Sequence, residues 1–114
     1  MTYTIQGGNV QPAQVKLTTA DPTVIVSGGQ SGAVVVGIYA AEIAGATPTL
    51  TLEKFDGTTR YFIRGAKAMT AYEEYSRDVI IVLKAGESLR AEAGTANQID
   101  VIATYIPGDR TAKG

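Results

Sequence analysis

The residues best placed to do chemistry lie in the stretch VLKAGESLRAEAGTANQIDVIATY, residues 82 to 105, where Lys84, Glu87, Ser88, Arg90 and Glu92 fall within nine positions. Ser88 with Lys84 could form a nucleophile and base dyad. The spacing argues against it. Gly86-Glu87-Ser88-Leu89-Arg90 carries Arg where a nucleophile elbow needs a second glycine for its tight turn, and the chain has no histidine to act as base. Serine beside glycine at a strand start is common turn chemistry, so Ser88 reads as structural and Glu87 as a solvated turn residue. Glu73, Glu74 and Asp78 form an acidic cluster that oxygen-only ligation of Ca²⁺ would tolerate. Adjacent glutamates on an extended chain point to opposite faces, which splits the site. The loop SGGQSG, residues 27 to 32, has the glycines of a phosphate cradle. No helix pattern follows it to supply a positive dipole, so a flexible hairpin loop is the better reading. No catalytic, cofactor-binding or metal-ligating residue is assigned, and no enzyme or cofactor is expected.

The totals point the same way. The chain has no cysteine, which removes disulfides, thiolate nucleophiles and Cys-ligated zinc. Ten Lys and Arg against eleven Asp and Glu give a net charge of −1, with the signs interspersed, so nucleic acid is not an expected partner. At 114 residues and 45% hydrophobic content the chain is long enough for one domain with one core. No apolar run approaches the roughly 20 residues of a membrane-spanning helix, so no membrane partner is expected. The N-terminus MTYTIQGGNVQPAQ lacks a basic region followed by an apolar one, so synthesis in a cytoplasm is the default expectation.

The elements that would position these residues are strands. Short runs rich in β-branched and aromatic residues, separated by Gly, Pro, Asp and Asn, predict an all-β fold: a single antiparallel β-sandwich, jelly-roll-like, of about eight strands. The predicted strands are 15–18, 23–27, 33–44, 49–55, 58–64, 78–84, 88–93 and 98–106, within a sandwich domain of residues 13–106. Residues 1–12 and 107–114 are expected to be flexible arms. In 66–76 helical spacing competes with an irregular loop or edge strand, and the absence of an N-cap favours the latter. Asp56-Gly57 predicts a two-residue type I′ hairpin that sets Leu50 opposite Ile63 and Leu52 opposite Tyr61 on a core face. Thr51 then faces Phe62, and Glu53 faces Arg60 as an ion pair on a wetter face.

Residues 33–44 are apolar on both faces, with Val34, Val36 and Ile38 on one and Val35, Tyr39 and Ile43 on the other. Such a strand is central or packs on a second subunit. Six tyrosines against two phenylalanines suggest contact surface, since Tyr offers rigid area with a polar end. Val35, Tyr39, Ile43, Tyr72 and Tyr75 are therefore the candidate interface residues.

The pattern Leu83-Lys84-Ala85-Gly86-Glu87-Ser88-Leu89, then Ala93-Gly94-Thr95-Ala96-Asn97-Gln98-Ile99-Asp100-Val101 and a closing Ala103-Thr104-Tyr105, is joined near the start by Leu17-Thr18-Thr19-Ala20-Asp21-Pro22-Thr23-Val24. Together these resemble small β-sandwich structural proteins of tailed bacteriophages and phage-like particles, over about residues 15 to 106. In that group an aliphatic residue plus Ala-Gly-Asp leads into an alternating strand, and a final strand carries Val-Asp-Val. Here Glu87 stands where Asp is usual, and SGGQSG replaces a Pro-Ala-Gly turn.

The resemblance implies a virion component, made in the host cytoplasm, that assembles as a homo-oligomer, often a trimer, and binds the major capsid protein or other virion proteins. A capsid decoration or cement protein is the leading expectation, and a neck, tail or fibre-associated protein the alternative. A carbohydrate-binding sandwich ranks lower, because the chain has no Trp to stack on sugars.

Overall fold

The computed structural model describes residues 10–108, and among them every regular element is a strand. The strands are β1 (Gln11–Lys16), β2 (Thr23–Ser27), β3 (Ala33–Glu42), β4 (Thr49–Phe55), β5 (Arg60–Ala68), β6 (Glu74–Arg77), β7 (Ile81–Leu83), β8 (Ser88–Ala93) and β9 (Ile99–Pro107). β4 pairs with β5, β3 with β6 and β7, β2 with β8, and β1 with β9, all antiparallel. The first half of the chain thus runs back along the second as one long hairpin. Two further ladders, β3 with β9 and β4 with β8, roll that ribbon onto itself. The result is a five-stranded sheet in the order β1-β9-β3-β6, with β7 also on β3, stacked on a four-stranded sheet in the order β2-β8-β4-β5. This is the expected all-β antiparallel sandwich, in jelly-roll topology.

Alternation decides what lies between the sheets. Val35, Ile38, Ala40, Val101 and Ala103 come from one inner face, and Leu50, Leu52, Leu89, Ala91 and Ala93 from the other, all in the core. Leu17 and Met69, from the connections, close the ends of the core. The small Ala residues let the sheets approach closely where the larger aliphatics interdigitate.

The structure corrects several expectations. The predicted run 78–84 contracts to β7, and the additional, ninth strand, β6, begins in the 66–76 segment; both lie along β3. Gln11 and Pro12, assigned to the N-terminal arm, pair with Tyr105 and Thr104 in β1. Residues 1–9 of that arm and residues 109–114 of the C-terminal tail lie outside the described residues, while Pro107, assigned to that tail, pairs with Ala33 in β9. In 66–76 the edge-strand reading holds: β5 runs to Ala68, the chain turns through Tyr72 at φ 58°, and β6 begins at Glu74.

The Asp56 turn is wider than the predicted two residues. Asp56 Oδ1 accepts N–H groups of Thr58 at 2.9 Å and Thr59 at 2.7 Å, and these hold its carboxyl below the usual range. This side-chain capping turns the chain over four residues, so Phe55 pairs with Arg60 and Glu53 with Phe62. Irregularities between Leu50 and Glu53 slip the register further, setting Leu52 against Arg64 and Leu50 against Lys67. Leu50 and Leu52 stay in the core, whereas Tyr61 is exposed. A bulge between Val35 and Gly37 shifts the faces of β3, turning Val35 inward together with Ile38, and Tyr39 outward.

SGGQSG is a packed corner and not a free loop. Gly28 N–H donates to Glu87 O at 2.7 Å and Gly86 N–H to Gly29 O at 3.0 Å. A Cβ on Gly28 would lie 2.3 Å from Lys84 O, so the glycine is there for close backbone approach.

Leu52→Ala should lower the unfolding free energy by about 2–5 kcal/mol, the range for emptying a buried leucine site. Ile80→Ala, at a position 75% exposed, should change it by less than about 0.5 kcal/mol. Urea denaturation of both variants checks the contrast.

Candidate assembly surfaces

The charged cluster of residues 84–92 is resolved by the turn between β7 and β8. Glu87 accepts the N–H of Lys84 at 2.8 Å and pairs with Lys54 at 3.1 Å. The backbone bond to Lys84, ahead of the Lys54 charge, holds the Glu87 carboxyl below its usual value. Its side chain is largely buried and caps the turn, so it is less solvated than expected. Ser88 is buried, its backbone paired between Ser27 of β2 and Phe55 of β4. Arg90 and Glu92 stand on the face opposite Leu89, Ala91 and Ala93, as alternation predicts.

Arg90 belongs to a network on the outer face of the four-stranded sheet. Glu53, on β4, is only 1% exposed although it points away from the core. Its two oxygens accept from Arg60 Nε at 2.6 Å and Arg90 Nε at 2.7 Å. Arg60 also donates to Glu92 at 2.8 Å, and its bond to Glu53 raises its already high pKa. Phe55 lies under the Arg90 guanidinium at 3.7 Å and Phe62 beside Arg60 at 5.0 Å. Three strands contribute to one ion cluster around a buried carboxylate. The sequence reading found the Glu53–Arg60 pair but placed the two directly opposite. Arg90 was legible only as an outward residue, because its approach to Glu53 depends on β8 lying beside β4.

A second buried carboxylate holds the far end of β3. Glu42, 2% exposed, accepts backbone N–H groups of Ala44 at 3.0 Å, Gly45 at 2.9 Å, Ala46 at 3.1 Å and Tyr72 at 2.8 Å. Burial pushes its pKa up, but the four N–H groups together outweigh that and set it below the usual glutamate value of 4.5. The Tyr72 side chain then covers Gly45, where a Cβ would meet its Oη at 2.8 Å. Nothing in the sequence pattern of Glu42 distinguishes it from an ordinary strand-end acid.

The acidic cluster is dispersed. Glu73 pairs with Lys67 at 2.8 Å and accepts Thr70 N–H at 2.8 Å; the Lys67 bond, then Thr70, lowers its pKa. Glu74 lies in β6 opposite Ala41, and Asp78 falls between β6 and β7. Among the described residues no group of three acids is placed to hold a metal.

Of the candidate interface residues, Val35 is in the core at 0% exposure and has no surface to offer, for the bulge reason given above. Tyr75 packs half-buried against the core. Tyr39, Ile43 and Tyr72 reach the surface. Tyr39 sits on the outer face of the five-stranded sheet in the row Gln14, Ile102, Tyr39, Ser76. At one end of that face the row Ile106, Val34, Val82 is apolar throughout. Next to it opens a groove of about 380 Å³ lined by residues of the 30–34, 82–85 and 106–108 segments. The two outer faces therefore differ: one centres on a satisfied ion cluster with Val24 and Phe62 exposed beside it, and the other has polar rows at one end and an apolar row at the other.

No family model matches the chain, and no curated protein matches it. Solved structures do. The chain has the fold of phage capsid proteins. Two crystal structures of pentameric capsid proteins from metagenomic phage sequences superpose with TM-scores of 0.56 and 0.54, at 18% and 20% identity over 91% of this chain. The acid-stable capsid structure of Helicobacter pylori bacteriophage KHP30 gives a TM-score of 0.54 at 17% identity, covering 85% of each chain. The chain spans 64% and 65% of the lengths of the two pentameric proteins. At these identities the likeness is one of fold, and it agrees with the phage resemblance read from the turns.

Two outcomes test this geometry. Glu53→Ala should cost about 3 kcal/mol in urea denaturation, because it strands two guanidinium groups, whereas Lys16→Ala at an exposed pair should cost about 0–1 kcal/mol. For Glu42 the folded pKa lies below the unfolded one, so the folded state binds fewer protons in that interval. Its contribution is present above pH 4.5 and is lost as the pH falls through the depressed value. Thermal unfolding followed from pH 7 to pH 2 should fall less steeply in Glu42→Gln than in the parent, from a lower starting midpoint.

Proposed function

We propose that the protein is a structural component of a phage virion, a decoration or cement protein that binds the assembled capsid shell as a homo-oligomer. The observation that carries this reading is the jelly-roll sandwich shared with phage capsid proteins over 85–91% of the chain. The side chains that suggested catalysis support it too, since Glu87, Ser88 and Arg90 are committed to a turn, a ladder and an ion cluster. A rigid tile with an uncovered apolar face stabilises a shell by mass action: it binds the assembled state and not free subunits, so assembly gains its binding free energy. The major capsid protein is the partner this requires, and the virion the location.

Co-sedimentation of the purified protein with phage shells, and separately with tails, tests the reading. Binding to shells, with a shell melting temperature that rises with added protein, is the expected result. Binding to tails alone would move the protein to the neck or tail, and binding to neither would overturn the virion reading. Light scattering at micromolar concentration should give more than the mass of one chain. The resemblance implies three copies, while similar structures are pentameric, and the measured mass decides the number.

A further inference from the structure

The outer face of the five-stranded sheet has an order that suits it to a second copy of itself. Its registered rows cross the sheet from β1 to the β6 and β7 edge. The first is Lys16, Asp100, Ala41, Glu74; the second is Gln14, Ile102, Tyr39, Ser76. The apolar row Ile106, Val34, Val82 lies at the other end. Each of the first two rows has polar ends and at least one apolar residue at its centre, and the first begins with a cation and finishes with an anion.

We propose that two copies of this chain pack these faces together about a two-fold axis running along the strands. That axis reverses each row onto itself. Lys16 of each copy meets Glu74 of the other, Asp100 meets Ala41, Gln14 meets Ser76, Ile102 meets Tyr39, and Ile106 meets Val34, with Val82 at the margin of the contact. A like-charge clash does not arise at either corner, and every contact occurs twice, as an isologous interface requires. Glu74 has no ion pair within its own chain among the described residues, and Lys16 holds Asp100 only as an exposed pair at 3.1 Å, which leaves it free to exchange. Val82 is 56% exposed, and Ile102 and Ile106 are 38% exposed.

The area suffices. The 32 residues of β1, β9, β3, β6 and β7, at about 3.3 Å along the strand by about 4.8 Å between strands, give roughly 500 Å² per copy. Two such faces bury about 1,000 Å², the threshold for a specific interface. Stacked twisted sheets cross at about 30°. That angle keeps the central rows in contact and leaves the corners to long side chains such as Lys16 and Glu74. The contact concerns the chain alone and so goes beyond the virion reading.

Sedimentation velocity of the full chain tests it. The parent should contain an even number of copies. Lys16→Glu and Glu74→Lys, each alone, put like charges at both corners and should weaken association on the order of tenfold. An equimolar mixture of the two variants should restore it. In the mixed pair the carboxylate introduced at position 16 of one copy meets the ammonium introduced at position 74 of the other, and the unchanged Lys16 and Glu74 meet at the second corner. Ile106→Glu, at a position 38% exposed, should also dissociate the pair while circular dichroism and the unfolding midpoint stay at the parent values. A single copy in the parent, variants of unchanged mass, or a mixture that fails to associate would each overturn the proposal. Three or five copies would overturn it too, while leaving the homo-oligomer reading intact.

Discussion

A carboxylate removed from water must have its hydrogen-bonding capacity met in full, and this constraint governs how the sandwich is held at two places. Glu42 and Glu53 are nearly inaccessible, yet neither contacts the other and each is satisfied by different chemistry. Glu53 is met by two guanidinium groups from β5 and β8, so it fixes the lateral spacing of three adjacent strands. Glu42 is met by backbone N–H groups from two loops distant in sequence, so it fixes how those loops enter and leave the sheet. Desolvation would make either group costly if one partner were missing. The same cost makes alternative registers of β4 and alternative paths for residues 43–46 unfavourable, which is a source of uniqueness that apolar packing alone supplies poorly.

The Glu53 network also decides which side of the molecule is available for contact. It sits on an outer face that alternation alone would have left to scattered charges, and it gathers Arg60, Arg90, Glu92, Phe55 and Phe62 into bonds with one another. Its charges have little left to offer a partner without breaking an existing pair, although Val24 and Phe62 stay exposed beside them. The five-stranded sheet is the opposite case. Its central strand β3 is paired on both sides and apolar inside and out, so burial of its inner face by the sandwich still leaves Val34, Tyr39 and their neighbours Ile102 and Ile106 outward.

Much of this was legible in the residues, and the losses have identifiable causes. Period-two alternation revealed the inner residues of β8 and the opposite placement of Arg90 and Glu92. It failed wherever an extra residue enters a ladder, because one residue exchanges the two faces. Val35 and Tyr39 looked like neighbours on one face for this reason, and the bulge at Val35 to Gly37 separates them. At Asp56 the glycine signal was real, but the side-chain bonds to Thr58 and Thr59 won over the tighter turn. The glycines of 28–32 were visible as glycines. Their purpose, close approach to the 84–87 turn, depends on a partner segment far away along the chain. Long-range pairing of that kind leaves no local pattern. The same holds for the Glu53 cluster, whose members lie on β4, β5 and β8.

The rolled-hairpin topology links these points to assembly. Rolling requires β3 and β9 to form a long ladder, which sets a broad sheet, stiffened on its inner side by the core, beneath the uncovered apolar surface. A contact made on such a surface loses little conformational freedom, since the backbone is already fixed by ladders on both sides of β3. Affinity for a given area varies from micromolar to picomolar according to how much ordering and imperfect desolvation binding entails. Here the ordering term is small, and on the docking face Lys16 and Glu74 stand at corners where water still reaches them, with Asp100 one place in from Lys16. A modest area can therefore suffice for specific association. The corner charges then select the orientation of the partner, while Ile102, Tyr39 and the apolar row at the other end of the face supply the driving force.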